Sequence, residues 1–224
     1  PGFGSNGDAI DSDVGGYNIN LNQGTLGGVF GANYSLDAGR LVVTPKELTA
    51  SLIGSVSRIY DGTQDATLSV DNYLLAGVIA GDDVGLNNPL AGLFDNKNVG
   101  SGKTVSVDGL ALTGTDVSNY TISSDVSGAI GEITPKELTA SLIGAVSRIY
   151  DGTLSVTLSE DNYLLGGAVA GDDVALNNPT AGLFDNKNVG ATKTVLVDGL
   201  ALTGADISNY TIGGGINGAI GEIT

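Results

Sequence analysis

Two pairs of adjacent carboxylates, Asp82-Asp83 and Asp172-Asp173, are the residues best equipped for chemistry in this chain. Each pair sits in the same phrase, AGDDV, at Ala80–Val84 and again at Ala170–Val174. Clustered carboxylates suit calcium, a hard cation that takes about six to eight oxygens. Successive residues of a strand point to opposite faces, so one pair alone chelates poorly. Other aspartates or backbone carbonyls must join, and Asp61, Asp95, Asp108 and Asp116 could contribute. The competing reading is a polar turn, where aspartate is at home. Asp82, Asp83, Asp172 and Asp173 are therefore the calcium candidates, and no other cofactor is implied.

Other chemistry is curtailed by what is missing. The chain has no His and no Cys. That removes a Ser-His-Asp triad, a histidine-ligated zinc, thiolate metal sites and disulfides. Glycosidases work with one defined pair of acids, but here the acid pair recurs in tandem. No catalytic residue emerges, and the expectation is a protein that is not an enzyme. The formal net charge of −16 repels nucleic-acid phosphates and anionic membranes alike. No apolar run is long enough to span a bilayer, and targeting signals are expected outside these residues. The chain begins PGFGSNGDAIDSD without an initiator Met, so it reads as a segment of a longer polypeptide.

The elements that must position these acids are written twice. SRIYDGTQDATLS at Ser57–Ser69 returns as SRIYDGTLSVTLS at Ser147–Ser159, and TPKELTASLIG opens at both Thr44 and Thr134. The frame is a 90-residue repeat, 44–133 and then 134–223; Thr224, which would open a third copy, is counted with the second domain, 134–224. That period is too long for the common helical solenoids and is the size of an immunoglobulin-like sandwich. Within it, Leu48, Ala50 and Leu52 alternate with Thr49 and Ser51, and Val105 and Val107 alternate with Thr104, Ser106 and Asp108. In residues 1–43, Tyr17, Ile19 and Leu21 alternate with polar positions. Period two over short runs is the signature of half-buried strands. DNYLLAGVIAGDD is read as a strand or bulged strand. The fold class is all-β: tandem Ig-like sandwiches arranged end to end as an elongated rod. Thr44-Pro45 and Thr134-Pro135 leave no room for a floppy linker, because proline holds itself and its predecessor extended.

Repeated aromatics predict cores. Tyr60 and Tyr150 precede an Asp-Gly turn and are expected buried, with the hydroxyl on backbone near a corner. Phe94, Phe184, Tyr120 and Tyr210 are structural on the same argument. In LFDNKNVG, Val99 joins the core, Asn96 and Asn98 suit positive φ, and Lys97 pairs with a carboxylate or crosslinks to an asparagine in place of disulfides. Asn33, Asn119 and Asn209 stand in the N-glycosylation pattern, although asparagine in a turn explains them equally.

These blocks resemble a known repeat. TPKELTASL, RIYDGT, DNYLL, AGDDV, AGLFDNKNVG, VDGLALTG, SNYTI and GAIGEIT, in that order and twice, look like the YDG domain of large bacterial exoproteins. Residues 1–43, ending GANYSLDAGRLVV, resemble the C-terminal part of a preceding MBG-like β domain. The resemblance implies filamentous-haemagglutinin-like adhesins of two-partner secretion, located outside the bacterium, on its surface or in its matrix. It implies a stalk module serving attachment, aggregation or biofilm matrix. Neighbouring repeats would be its partners, and the full-length protein would contact extracellular polysaccharide or a cell-surface receptor. The alternative is a repeat that itself binds polysaccharide with calcium assistance.

Overall fold

The computed structural model describes residues 44–224, together with the backbone of residues 4–5, 15–20 and 40–43. The described chain is all-β, with four one-turn 3-10 segments. None of its helices is long and apolar enough to cross a membrane. In the first 43 residues, Gly15–Asn20 pairs antiparallel with Gly4–Ser5 and with Arg40–Val43. The side chains expected to alternate there, and Asn33, lie outside the described residues.

Contacts gather the chain into two compact units. The first comprises Pro1–Gly54, Thr67–Gly92 and Ser106–Gly128; the second comprises Ser55–Ala66, Leu93–Val105 and Ala129–Thr224. The second unit thus holds part of the first sequence repeat and the whole of the second.

In the second repeat, one five-stranded sheet runs in the order Val146–Arg148, Gly215–Ile223, Gly190–Asp198, Ala181–Phe184, Ser155–Thr157. The first pair is parallel and the other three are antiparallel. The first repeat has the same order: Val56–Ile59, Asp125–Thr134, Gly100–Asp108, Ala91–Phe94, Asp65–Thr67. A separate antiparallel pair, Thr139–Leu142 with Tyr163–Gly166, adds Leu142 and Tyr163 to the same core as Phe184, Val195, Val197 and Ile223. Each such side chain, taken out of water, contributes roughly 1.5–3 kcal/mol.

Alternation decides which side chains enter. In Gly100–Asp108, Lys103, Val105 and Val107 are buried while their neighbours are exposed. Phe94 and Phe184 lie under the sheet, and Gly131 and Gly221 make room for them. A Cβ on Gly131 would stand 2.6 Å from Phe94 Cε1. The expected strand at DNYLLAGVIAGDD starts later than its first residues. Val70–Asn72 forms a 3-10 turn, and the strand is Tyr73–Ala76. The Asn72 side chain causes this: its Oδ1 accepts from Ser69 N and its Nδ2 donates to Ile53 O, at 2.9 and 3.2 Å. A side chain that serves the backbone this way replaces ladder bonds.

One residue, Pro135, separates the last long strand of the first repeat from the first paired strand of the second. The strand Asp125–Thr134 ends just before Pro135, and Lys136–Glu137 is already paired, parallel, with Tyr210–Thr211.

Candidate functional site

The RIYDGT phrase builds its own support. Arg58, on the strand Val56–Ile59, lies over the Phe94 ring at 5.5 Å. Its guanidinium donates to Asp61 Oδ2 at 3.1 Å, Thr63 Oγ1 at 2.7 Å and the Asp65 carbonyl at 2.9 Å, and also to the Thr63 carbonyl. Asp61 Oδ1 in turn accepts from Thr63 N at 2.9 Å. Burial alone would raise the Asp61 pKa. The Thr63 amide and hydroxyl and the Arg58 charge outweigh it and hold the carboxyl below its ordinary 3.8. The loop is thus fastened, Tyr60 N donates to Thr134 O at 2.9 Å, and the Tyr60 ring points inward, 1% exposed.

The ring meets Asp172. Tyr60 donates to Asp172 Oδ2 at 2.7 Å, Tyr210 donates to the same oxygen at 2.6 Å, and Lys97 Nζ lies 3.1 Å from Oδ1. The two rings meet edge to face, centroids 5.3 Å apart at 80°. The Lys97 ammonium stands 6.0 Å from the Tyr60 centroid, within range of a cation–π attraction. The Tyr210 oxygen also accepts from Val169 N at 3.0 Å, so it is fixed from both sides. Beside this cluster, Val99 N donates to Asn209 Oδ1 at 2.9 Å, and Asn209 Nδ2 donates to Asn98 Oδ1 at 3.4 Å. Gly62 completes the contact. It sits at φ +84°, and a Cβ there would stand 2.8 Å from Val169 Cγ1.

The electrostatics follow from geometry. The Asp172 side chain is 3% exposed. Burial pushes its pKa up, but the hydrogen bonds from Tyr210, Tyr60 and Lys97 prevail and leave it below the ordinary value. Burial, reinforced by the Asp172 carboxylate, pushes the Tyr210 hydroxyl up to about 12 and raises Tyr60 as well. Lys97 is raised chiefly by its bond to Asp172. All four groups favour one state: an ionised carboxylate, a charged lysine and two neutral phenols. Both carboxylate oxygens are engaged, so the arrangement holds parts together.

The aspartate pairs divide their work. In the first repeat, Tyr120 donates to Asp82 Oδ2 at 2.5 Å, matching Tyr210 and Asp172. Asp83 Oδ2 instead accepts from the Thr115 amide and hydroxyl at 3.0 and 3.1 Å, and Asp173 Oδ2 accepts from Ala205 N at 3.0 Å. Asp82 and Asp83, like Asp172 and Asp173, thus face different partners. Among the described residues no three acidic side chains gather as a cation would require.

Of the residues expected in cores, Tyr60, Phe94, Tyr120, Phe184 and Tyr210 are buried, but Tyr150 is 49% exposed. Tyr60 bonds a carboxylate, where a backbone partner was expected. Val99 is only half-buried. Asn96 and Asn98 are not among the described positive-φ residues. Instead Asn98 N donates to Asn96 Oδ1 at 3.0 Å, and this side-chain turn does the bending without a left-handed residue. Lys97 meets a carboxylate. The lysines that meet an asparagine are the buried Lys103, 2.7 Å from Asn96 Oδ1 and 2.9 Å from Asp95 Oδ1, and its counterpart Lys193, 2.5 Å from Asn186 Oδ1. Lys103 holds Asp95 below its ordinary pKa. The contact between Lys103 and Asp95 has the geometry of a salt bridge. Arg58 was not singled out by motif, and Asn209 was singled out only as a glycosylation signal or a turn asparagine. Arg58 was legible as the one cation inside each repeated RIYDGT.

No curated protein and no solved structure matches this chain. The YDG domain matches it twice, at residues 44–128 and 134–217, over most of its length. Those two stretches carry most of the duplicated sheet, the paired Tyr–Asp contacts and the Arg58 latch described above, and the chain belongs to the YDG-domain family.

Proposed function

We propose that this chain is a structural stalk segment of a large secreted bacterial surface adhesin serving attachment, aggregation or biofilm matrix. In this reading each repeat, 44–133 and 134–224, is an Ig-like sandwich, and the sandwiches follow one another as a rod. Residues 1–43 close a preceding MBG-like domain. The observation that carries the reading is the Tyr60–Asp172–Tyr210 contact with Lys97, which fastens side chains of one repeat to the next. A single proline between paired strands adds to it, because it leaves the connection no slack. Leu142 and Tyr163, packing in one core with Val195 and Val197, support the sandwich. The absence of His and Cys from the sequence, and the engagement of both Asp172 oxygens, favour a role without catalysis.

Small-angle scattering on chains of increasing repeat number tests the rod. Each added repeat should lengthen the particle by about 33 Å, the span of a ten-residue strand. A maximum dimension that grows only as a compact globule does would overturn it. Glycan-array binding by residues 44–224 alone would favour a recognition module over a stalk.

A further inference from the structure

The second repeat repeats the residues that clasp Asp172, and there they are uncovered. Tyr60 is 1% exposed, whereas its counterpart Tyr150 is 49% exposed. Lys97 and Val99 are half-buried, whereas Lys187 is exposed and Val189 is 64% exposed. Gly62 abuts Val169, whereas a Cβ on Gly152 would meet nothing nearer than the Tyr150 hydroxyl at 4.0 Å. The support beneath is nevertheless intact. Arg148 lies over Phe184 at 5.4 Å and donates to Asp151 Oδ2 and Thr153 Oγ1 at 3.0 and 2.7 Å, as Arg58 does in the first repeat. The loop is built and fastened, and its outward face lacks the cover it has in the first repeat.

The backbone beside this face supplies a second, independent observation. Tyr150 N donates to Thr224 O at 2.8 Å, just as Tyr60 N donates to Thr134 O at 2.9 Å. After Thr134 the chain passes through Pro135 directly into the repeat that covers Tyr60. Residue 224 is therefore held at the same place, relative to the open face, from which a covering repeat is delivered.

We infer that Tyr150, Gly152, Lys187 and Val189 form a docking face for one further YDG repeat, joined after Thr224, that carries counterparts of Asp172, Asn209 and Tyr210. The chemistry is specific. The occupant must offer a buried carboxylate to a phenol and an ammonium, a second phenol edge on to the first, and an asparagine to a backbone amide. A flat apolar surface would leave the Lys187 charge and the Tyr150 hydroxyl unpaired, which a buried interface does not tolerate. The inference stands on these contacts and goes beyond the stalk reading, since it does not depend on adhesion.

The test extends the intact chain by a second copy of residues 135–223 after Thr224 and maps tyrosine nitration by mass spectrometry. In the chain as it stands, Tyr150 should react and Tyr60 should be protected. In the extended chain Tyr150 should become protected by about tenfold or more, the scale of a local closing free energy above 1.4 kcal/mol. Replacing the appended copy's counterpart of Asp172 by asparagine should restore much of the reactivity. As a second measurement, Tyr150→Ala should lower the melting temperature of the extended chain and leave that of the present chain unchanged. Equal nitration of Tyr150 in both chains, or a melting temperature of the extended chain indifferent to Tyr150→Ala, overturns the inference.

Discussion

Tyr60 of the first repeat and Asp172 of the second are bonded at 2.7 Å across 112 positions of sequence. The same carboxylate is the internal partner of Tyr210. One buried charge thus serves the fold of its own repeat and the hold on its neighbour, and the two cannot be altered separately.

Asp172 should accordingly be the most sensitive acid in the chain. Asp172→Asn leaves Lys97 without its counter-ion and two phenols competing for a neutral amide. Denaturant unfolding should show a loss of about 2–3 kcal/mol, the scale for disrupting a buried, charge-assisted network. Asp82→Asn, which weakens one phenol contact, should cost less. Equal losses would deny Asp172 its double role.

Tyr60 and Tyr150 lie in identical phrases and should respond differently. Tyr60→Phe removes a hydrogen bond to a charged group and should cost about 1.5–3 kcal/mol. Tyr150→Phe, at a half-exposed site, should fall within about 0.5 kcal/mol of zero. Thermal melts of the two variants check this directly.

The pH dependence has two limbs. The Tyr210 hydroxyl, ordinarily at 10.0, is pushed up to about 12, so folding favours the neutral phenol. Its contribution is complete below pH 10, where the unfolded chain is also neutral, and drains away as pH climbs through about 12. Asp172 is lowered from 3.8, so its contribution is complete above that value and is lost as pH falls further. Melting temperature against pH should bend at both ends. Tyr210→Phe should flatten the alkaline limb and leave an acid limb in place.

Thr192 holds a left-handed conformation, φ +53°, inside the bulge that interrupts pairing between Gly190 and Val195. The first repeat places Gly102 there, at φ +64°. A β-branched residue is strained in that region. Thr192→Gly should therefore stabilise the second repeat by about 1 kcal/mol, against the usual penalty for glycine in a strand. A chemical-denaturation midpoint that falls would refute the strain.

Much of this architecture was legible in the chain. Alternation placed Val105, Val107, Leu48 and Leu52 inside, and repetition marked Phe94 and Phe184 as core, because both signals are local consequences of strand geometry. The difference between Tyr60 and Tyr150 was not legible. Their flanking residues are the same, SRIYDGT, and only what arrives from another part of the fold distinguishes them. The same holds for Asp82 and Asp172. Adjacent acids suggested a cation; in the structure a carboxylate found its compensating charge in Lys97, seventy-five positions earlier. Asn209 reads as a glycosylation signal, yet it is 1% exposed and occupied by Val99 and Asn98, since a tripeptide pattern carries no information on burial.

The parallel pairings have a mechanical consequence. In the second repeat, Lys136–Glu137 lies parallel to Tyr210–Thr211, and Val146–Arg148 lies parallel to Gly221–Ile223, so strands near the entry and the exit of the chain run side by side in the same direction. Tension applied to the two ends would draw such neighbours past each other and load their hydrogen bonds together, whereas antiparallel hairpins peel apart one bond at a time. A protein stretched in a flow would meet its greatest resistance at these two short ladders. Pulling single molecules should register a rupture there before the interior of the sheet yields.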